Sequence, residues 1–118
     1  MRKIEDIIDE GGDALRRGDW EKAGQTFEFL LGRLPHNPHI LSMMAQVFMG
    51  CGRYAMAIPL LERSIQLDRT LGVNWMNLGV CLRREGHEER GRDAYKRAIE
   101  LEPDLSENYS NMSGAYIN

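Results

Sequence analysis

From Trp75 to Gly86 the chain reads WMNLGVCLRREG. Apolar or small residues fall at 75, 78, 79 and 82, steps of three and four that put them on one face of a helix. After the glycine at 86 the pattern resumes with Gly91, Tyr95 and Ala98, and Pro103 closes it. Thirty-four positions earlier Leu41, Met44, Ala45, Phe48, Gly52, Ala57, Leu61 and Ser64 occupy the same slots. A further thirty-four back stand Ile7, Glu10, Gly11, Ala14, Gly18, Ala23, Phe27, Leu30 and Pro35. Forward of the best-formed copy, Tyr109, Met112, Ser113 and Tyr116 begin a fourth.

Each copy therefore reads as two helices around a glycine turn. Glycine at 18, 52 and 86 closes the first helix with a left-handed residue. Small residues at 11, 45 and 79, and at 23, 57 and 91, let the two helices approach, and Phe27, Leu61 and Tyr95 fill the space beside them. Pro35 and Pro103 end the second helix. The spacing predicts about seven helices, near 3–16, 20–33, 38–50, 54–67, 72–85, 88–101 and 106–117. Pro59 falls close to the first turn of the fourth helix, where its missing donor is tolerated with at most a slight bend. One such hairpin cannot bury its own apolar face, so each needs its neighbour.

The order of aromatic, Leu-Gly, small residue, Tyr, Ala and Pro at a period of thirty-four resembles the tetratricopeptide repeat (TPR) family. The resemblance covers about residues 4–118 and is tightest at Trp75, Leu78, Gly79, Tyr95, Ala98 and Pro103. The departures are Glu10 for Leu, Ala14 for Tyr, Arg69 for Pro and Gly91 for Ala. It implies an all-α, right-handed α-solenoid of antiparallel helix pairs in one domain, 1–118. Three repeats (about 4–37, 38–71 and 72–105) precede a partial fourth repeat or capping helix at 106–118.

In this family the first helix of each repeat lines a concave groove. Carried across position by position, the resemblance makes Asp9, Ser42, Met43, Gln46, Met49, Met76, Asn77, Val80, Arg83, Arg84 and Asn111 the candidate ligand-binding residues. Asn77 and Asn111 share one repeat position, and a carboxamide offers two donors and an acceptor to a peptide backbone. Met43, Met49 and Met76 are flexible, polarizable apolar contacts, although packing between helices also accounts for Met76. Met44 and Met112 fall on core slots. Related domains clamp acidic chaperone tails with lysine, arginine and asparagine at set positions. Here those positions hold Ile8, Gly12, Met43, Val73 and Asn77 in one register and Ser42, Gln46, Asn77, Glu107 and Asn111 in the other. Neither supplies a cation, so a terminal Glu-Glu-Val-Asp tail is not the expected ligand.

Composition narrows the picture further. At 118 residues and 42% hydrophobic the chain is one folded domain, too short for a typical two-domain enzyme. A net charge of −3 gives no bulk attraction to nucleic acid or an anionic membrane. MRKIEDIIDEGG lacks the apolar run of a signal peptide, and no stretch approaches the length of a membrane span. Cys51 and Cys81 have no CxxC partner spacing and read as small hydrophobes of a reduced, cytoplasmic protein. His36, His39 and His87 make no metal-ligand pattern, and GGDALRRG lacks phosphate-loop spacing. No catalytic residue, metal or cofactor is expected. The expected function is a protein-protein interaction scaffold holding a peptide or protein segment in the groove. The alternatives are a substrate-presenting domain of a larger enzyme such as a glycosyltransferase, and a module that self-associates through 106–118.

Overall fold

The computed structural model describes residues 3–104. Within them run six helices, α1 (Ile4–Arg16), α2 (Trp20–Arg33), α3 (Pro38–Gly50), α4 (Tyr54–Leu67), α5 (Gly72–Arg84) and α6 (Glu88–Leu101). They match the expected first six to within a residue at each end. The expected seventh helix, with Asn111, lies outside the described residues.

The turns inside the hairpins are three copies of one device. Gly18, Gly52 and Gly86 have φ of 75°, 76° and 89°. The residue after each glycine donates its N–H five residues back: Asp19 to Ala14 at 2.8 Å, Arg53 to Phe48 at 2.8 Å and His87 to Leu82 at 2.8 Å. This is the six-to-one bond that satisfies the last free carbonyls of a helix. The links between hairpins are less uniform. Asn37 caps α3 by accepting from the His39 and Ile40 N–H groups at 2.9 and 3.2 Å, with Pro38 opening the helix. Where Arg69 replaces the expected proline, Asp68 ends α4 by a different route. Its carboxylate accepts from the Thr70 N–H at 3.0 Å and the Thr70 hydroxyl at 2.6 Å, and these bonds hold its pKa below the ordinary value. Pro59 is exposed and α4 runs through it; Ala55, whose carbonyl loses a donor, is exposed too.

Packing is sequential: each helix lies against the next, and the molecule measures 50 × 25 × 24 Å. The core is correspondingly segmented. Ala14, Ala23, Phe27, Leu30, Ile40 and Val47 bury one cluster between α1, α2 and α3. Ala45, Leu61, Ile65, Leu78, Cys81 and Leu82 belong to the next, which spans α3 to α6. Tyr95 and Ala98 begin a third, with Trp75, Met76, Val80 and Ile99 packed on them. The hairpins do not gather round a shared centre. The pairing of a small residue with an aromatic sets how close two helices come. A methyl at Gly11 would stand 2.8 Å from the Phe27 ring, and one at Gly79 would stand 2.8 Å from the Tyr95 ring.

One polar thread runs through this apolar interior. The fully buried Ser64 hydroxyl donates to the Pro38 carbonyl at 2.7 Å and accepts from the Asn74 amide at 2.8 Å. It joins α3, α4 and α5. The other amide atom, Asn74 Oδ1, has no partner among the described residues.

Candidate functional site

A groove of about 530 Å³ lies along the first helices of the hairpins. From α1 it takes Leu15 and Arg16, from α3 Gln46, Met49 and Gly50, and from α5 Val73, Met76, Asn77, Val80 and Arg84. These recur at helical spacing on α5, so one stripe of that helix faces the groove. Trp20 and Tyr54, each the first residue of a second helix, complete the lining.

The geometry explains why those two aromatics belong there. The indole of Trp20 reaches across to the last turn of α3, where a methyl at Gly50 would stand 2.6 Å from its ring atoms. Glycine is what lets the ring lie on the α3 backbone. The Tyr54 ring carries the Arg84 guanidinium 5.3 Å from its centroid. Both aromatics occupy the residue two after the turn glycine, which was the available signal in the sequence. They were missed because that position lies outside the first helix of the repeat.

Of the candidates named from sequence, Gln46, Met49, Met76, Asn77, Val80 and Arg84 line the groove together. Asn77 is only 6% exposed, and its amide has no hydrogen-bond partner among the described residues. It is nonetheless not sealed off, because Asn74 Oδ1 is the sole described side-chain polar atom both fully enclosed and unpartnered. Asn77 thus presents an unspent carboxamide to the groove. The others sit elsewhere. Ser42 is buried at 6% exposure, and Met43 packs on the α1–α3 core cluster. Asp9 is exposed outside the lining. Arg83 turns to the hairpin, its Nε 3.4 Å from a Glu88 carboxylate oxygen.

The lining carries two guanidiniums and no carboxylate, although the chain as a whole is acidic. Arg16 is partly neutralised by its ion pair with Asp13. Indole, phenol, thioether, amide and guanidinium groups are binding chemistry. Cys81 is buried, and burial, aided by Glu85, pushes its thiol up to about 12, which keeps it protonated and unreactive. No group of three or more His, Cys, Asp or Glu residues among the described ones is placed to hold a metal. No described helix is long and apolar enough to cross a membrane.

Repeated hairpins, a segmented core and a groove along the first helices define a helical repeat solenoid. Two models described as tetratricopeptide repeat match residues 40–73 and 73–105, together more than half of the chain. The chain belongs to the tetratricopeptide repeat family. It is similar to human tetratricopeptide repeat protein 7B, 27% identical over 92 residues that make 78% of this chain and 11% of that protein. The chain spans about a tenth of the length of the first two curated relatives it matches. Among solved structures it is similar to the Thermobaculum terrenum O-GlcNAc transferase (mutant K341M), with TM-score 0.86 and 28% identity over 94% of this chain and 22% of that one. It shares its fold with the first TPR of Spaghetti (RPAP3) bound to the HSP90 peptide SRMEEVD. There the TM-score is 0.83 and the identity 18%, over 98% of this chain and 94% of that one.

Proposed function

We propose that the groove along α1, α3 and α5 holds a segment of another protein, and that the holding is passive. The observation that carries this is Asn77, a nearly buried carboxamide with no partner of its own, set between Met76 and Val80 in the groove lining. The amide is open to the groove and bonds no other described side chain or backbone group, so a ligand backbone can take both its donor and its acceptor directly. Met49, Met76 and Val80 give the ligand's apolar side chains an adaptable floor, with Trp20 and Tyr54 as rigid walls. Gln46 offers a second amide on the facing helix. The solved Spaghetti domain is bound to the HSP90 peptide SRMEEVD, but this chain has Ile8 and Val73 where a carboxylate clamp takes cations, and Gly12 and Met43 where it takes amides. The occupant here is read by amides and apolar contacts in place of a carboxylate clamp.

The test compares the chain with a Gln46→Ala, Asn77→Ala variant in pull-downs from native lysate. Partners held by the chain are expected to be lost from the variant while its circular dichroism spectrum is kept. Equal capture by both removes the groove from the account.

The likeness to the transferase, at 28% identity, favours a second reading in which the same groove presents protein substrates to a catalytic domain elsewhere in a longer chain. The native reading frame decides that point. Self-association through 106–118 is a third proposal; monomeric light scattering at high concentration removes it.

A further inference from the structure

A second groove, of about 520 Å³, opens on the opposite side of α5, between α4 and α6. Its floor is Ile65, Leu78 and Leu82. On α5 the stripe 75, 78, 82 faces this side and the stripe 73, 76, 77, 80, 84 faces the other, so the grooves share no residue. Trp75 stands in its wall, half-buried, with its indole N–H donated to the Arg69 carbonyl at 3.1 Å.

Two guanidiniums attend that indole. Arg69 lies 6.0 Å and Arg97 5.8 Å from the ring centroid. A guanidinium held near a ring by its charge still has N–H groups to offer, and these take a carboxylate two at a time. Both guanidiniums lie at the outer range of a cation–π contact with the indole, which draws these two otherwise exposed side chains to the rim. Arg69 has no carboxylate partner among the described residues, and Arg97 has only an exposed one, Glu100, at 3.6 Å. Across the mouth, Arg90 of α6 meets Glu62 of α4 at 3.3 Å in a solvent-accessible and therefore weak pair. Arg69 is also the residue that stands where the family pattern has proline.

We infer that this convex groove is a second binding site, which takes a short acidic protein segment. One aliphatic side chain fills the floor over Leu78, and flanking carboxylates pair with Arg69 and Arg97. The inference does not depend on the concave groove. A phosphate backbone fits poorly, because Glu62 and Asp93 share the rim with the arginines and nothing offers a run of cations.

The chain's two tryptophans make the test clean, since Trp20 lines the concave groove and Trp75 the convex one. The full chain is labelled with 5-fluorotryptophan, and its two fluorine resonances are followed by NMR as a peptide Asp-Glu-Leu-Leu-Asp-Glu is added. The Trp75 resonance is expected to move saturably and the Trp20 resonance to stay. The amide peptide Asn-Gln-Leu-Leu-Asn-Gln, and the acidic peptide on an Arg69→Gln, Arg97→Gln variant, should each bind about fivefold more weakly or worse. The variant must keep its melting temperature. No movement of Trp75 at millimolar acidic peptide overturns the inference. So does equal binding of the amide peptide, or movement with a single-stranded oligonucleotide in place of the peptide. Movement of Trp75 on concentrating the protein alone makes the occupant a second copy, and likewise overturns it. Movement of Trp20 alone assigns the acidic ligand to the concave groove instead.

Discussion

Glycine to alanine is the same chemical change wherever it is made, yet the fold predicts opposite signs at two sites in this chain. At Gly79 the added methyl meets the Tyr95 ring at 2.8 Å and the Gly91 carbonyl at 3.0 Å. The ring is 4% exposed and cannot swing away, and the carbonyl belongs to the facing helix. Overpacking of this kind costs about 1–3 kcal/mol. The gain in helix propensity returns about 0.8–1 kcal/mol. The net is a loss centred near 1 kcal/mol, or about 4–8 °C in melting temperature for a domain of this size. At Gly32, by contrast, a methyl meets nothing within 4 Å and the backbone is ordinary helix. Gly32→Ala is therefore expected to stabilise by about 0.5 kcal/mol. Thermal melts followed by circular dichroism at 222 nm read both. Tyr95→Leu in the Gly79→Ala background tests the cause, and the pair should lose less than the sum of the single losses. A Gly79→Ala protein as stable as the parent, or two variants that shift the same way, refutes the close approach of α5 and α6 as what limits this hairpin.

Two further predictions rest on buried groups. Iodoacetamide should alkylate the exposed Cys51 in the folded chain and reach Cys81 only after denaturant is added, by mass spectrometry of digests. Burial holds the Cys81 thiol up to about 12 in the fold from an ordinary value of 9.0, and raises Tyr95 as well. Above about pH 9 the unfolded chain then binds fewer protons than the folded one, so melting temperature should fall as pH rises through the alkaline range. Below about pH 9 neither group contributes, and Cys81→Ala should flatten the alkaline decline. Ser64→Ala removes the hydroxyl that serves both Pro38 and Asn74. It leaves a carbonyl and an amide without their partner, an expected loss of about 2–3 kcal/mol. Adding Asn74→Ala to it should cost little more; a full additive loss would show that the thread does not act as a unit.

The period and the turns were legible because they rest on local rules. A left-handed glycine, a helix stop and a small residue opposite an aromatic each announce themselves within a few residues, and repetition multiplies the signal. The groove was half legible for the same reason. One stripe of α5 follows from helical spacing, so Met76, Asn77, Val80 and Arg84 came with it. Ser42 and Met43 hold the positions on α3 equivalent to Met76 and Asn77, yet Ser42 is buried and Met43 packs on the α1–α3 cluster, which helical spacing alone does not distinguish. Trp20 and Tyr54 reach the groove from second helices, where only the packing of their rings decides the matter.

Arg69 and Asn74 mark the other limit. In sequence one is a missing proline and the other an unremarked polar residue. In the fold Arg69 lies beside the Trp75 indole at the mouth of a groove, and Asn74 is half of a buried bond between hairpins. Residues that obey the repeat pattern build the same scaffold in any member of the family, so they carry no information about which partner a member binds. That information must lie in the positions the pattern leaves free or the chain violates. Here such positions gather on the two sides of α5: an unpaired amide and thioethers on one, and the guanidiniums of Arg69 and Arg97 beside Trp75 on the other. A helix with two working faces can bring two partners within its own diameter, about 10–12 Å, of each other.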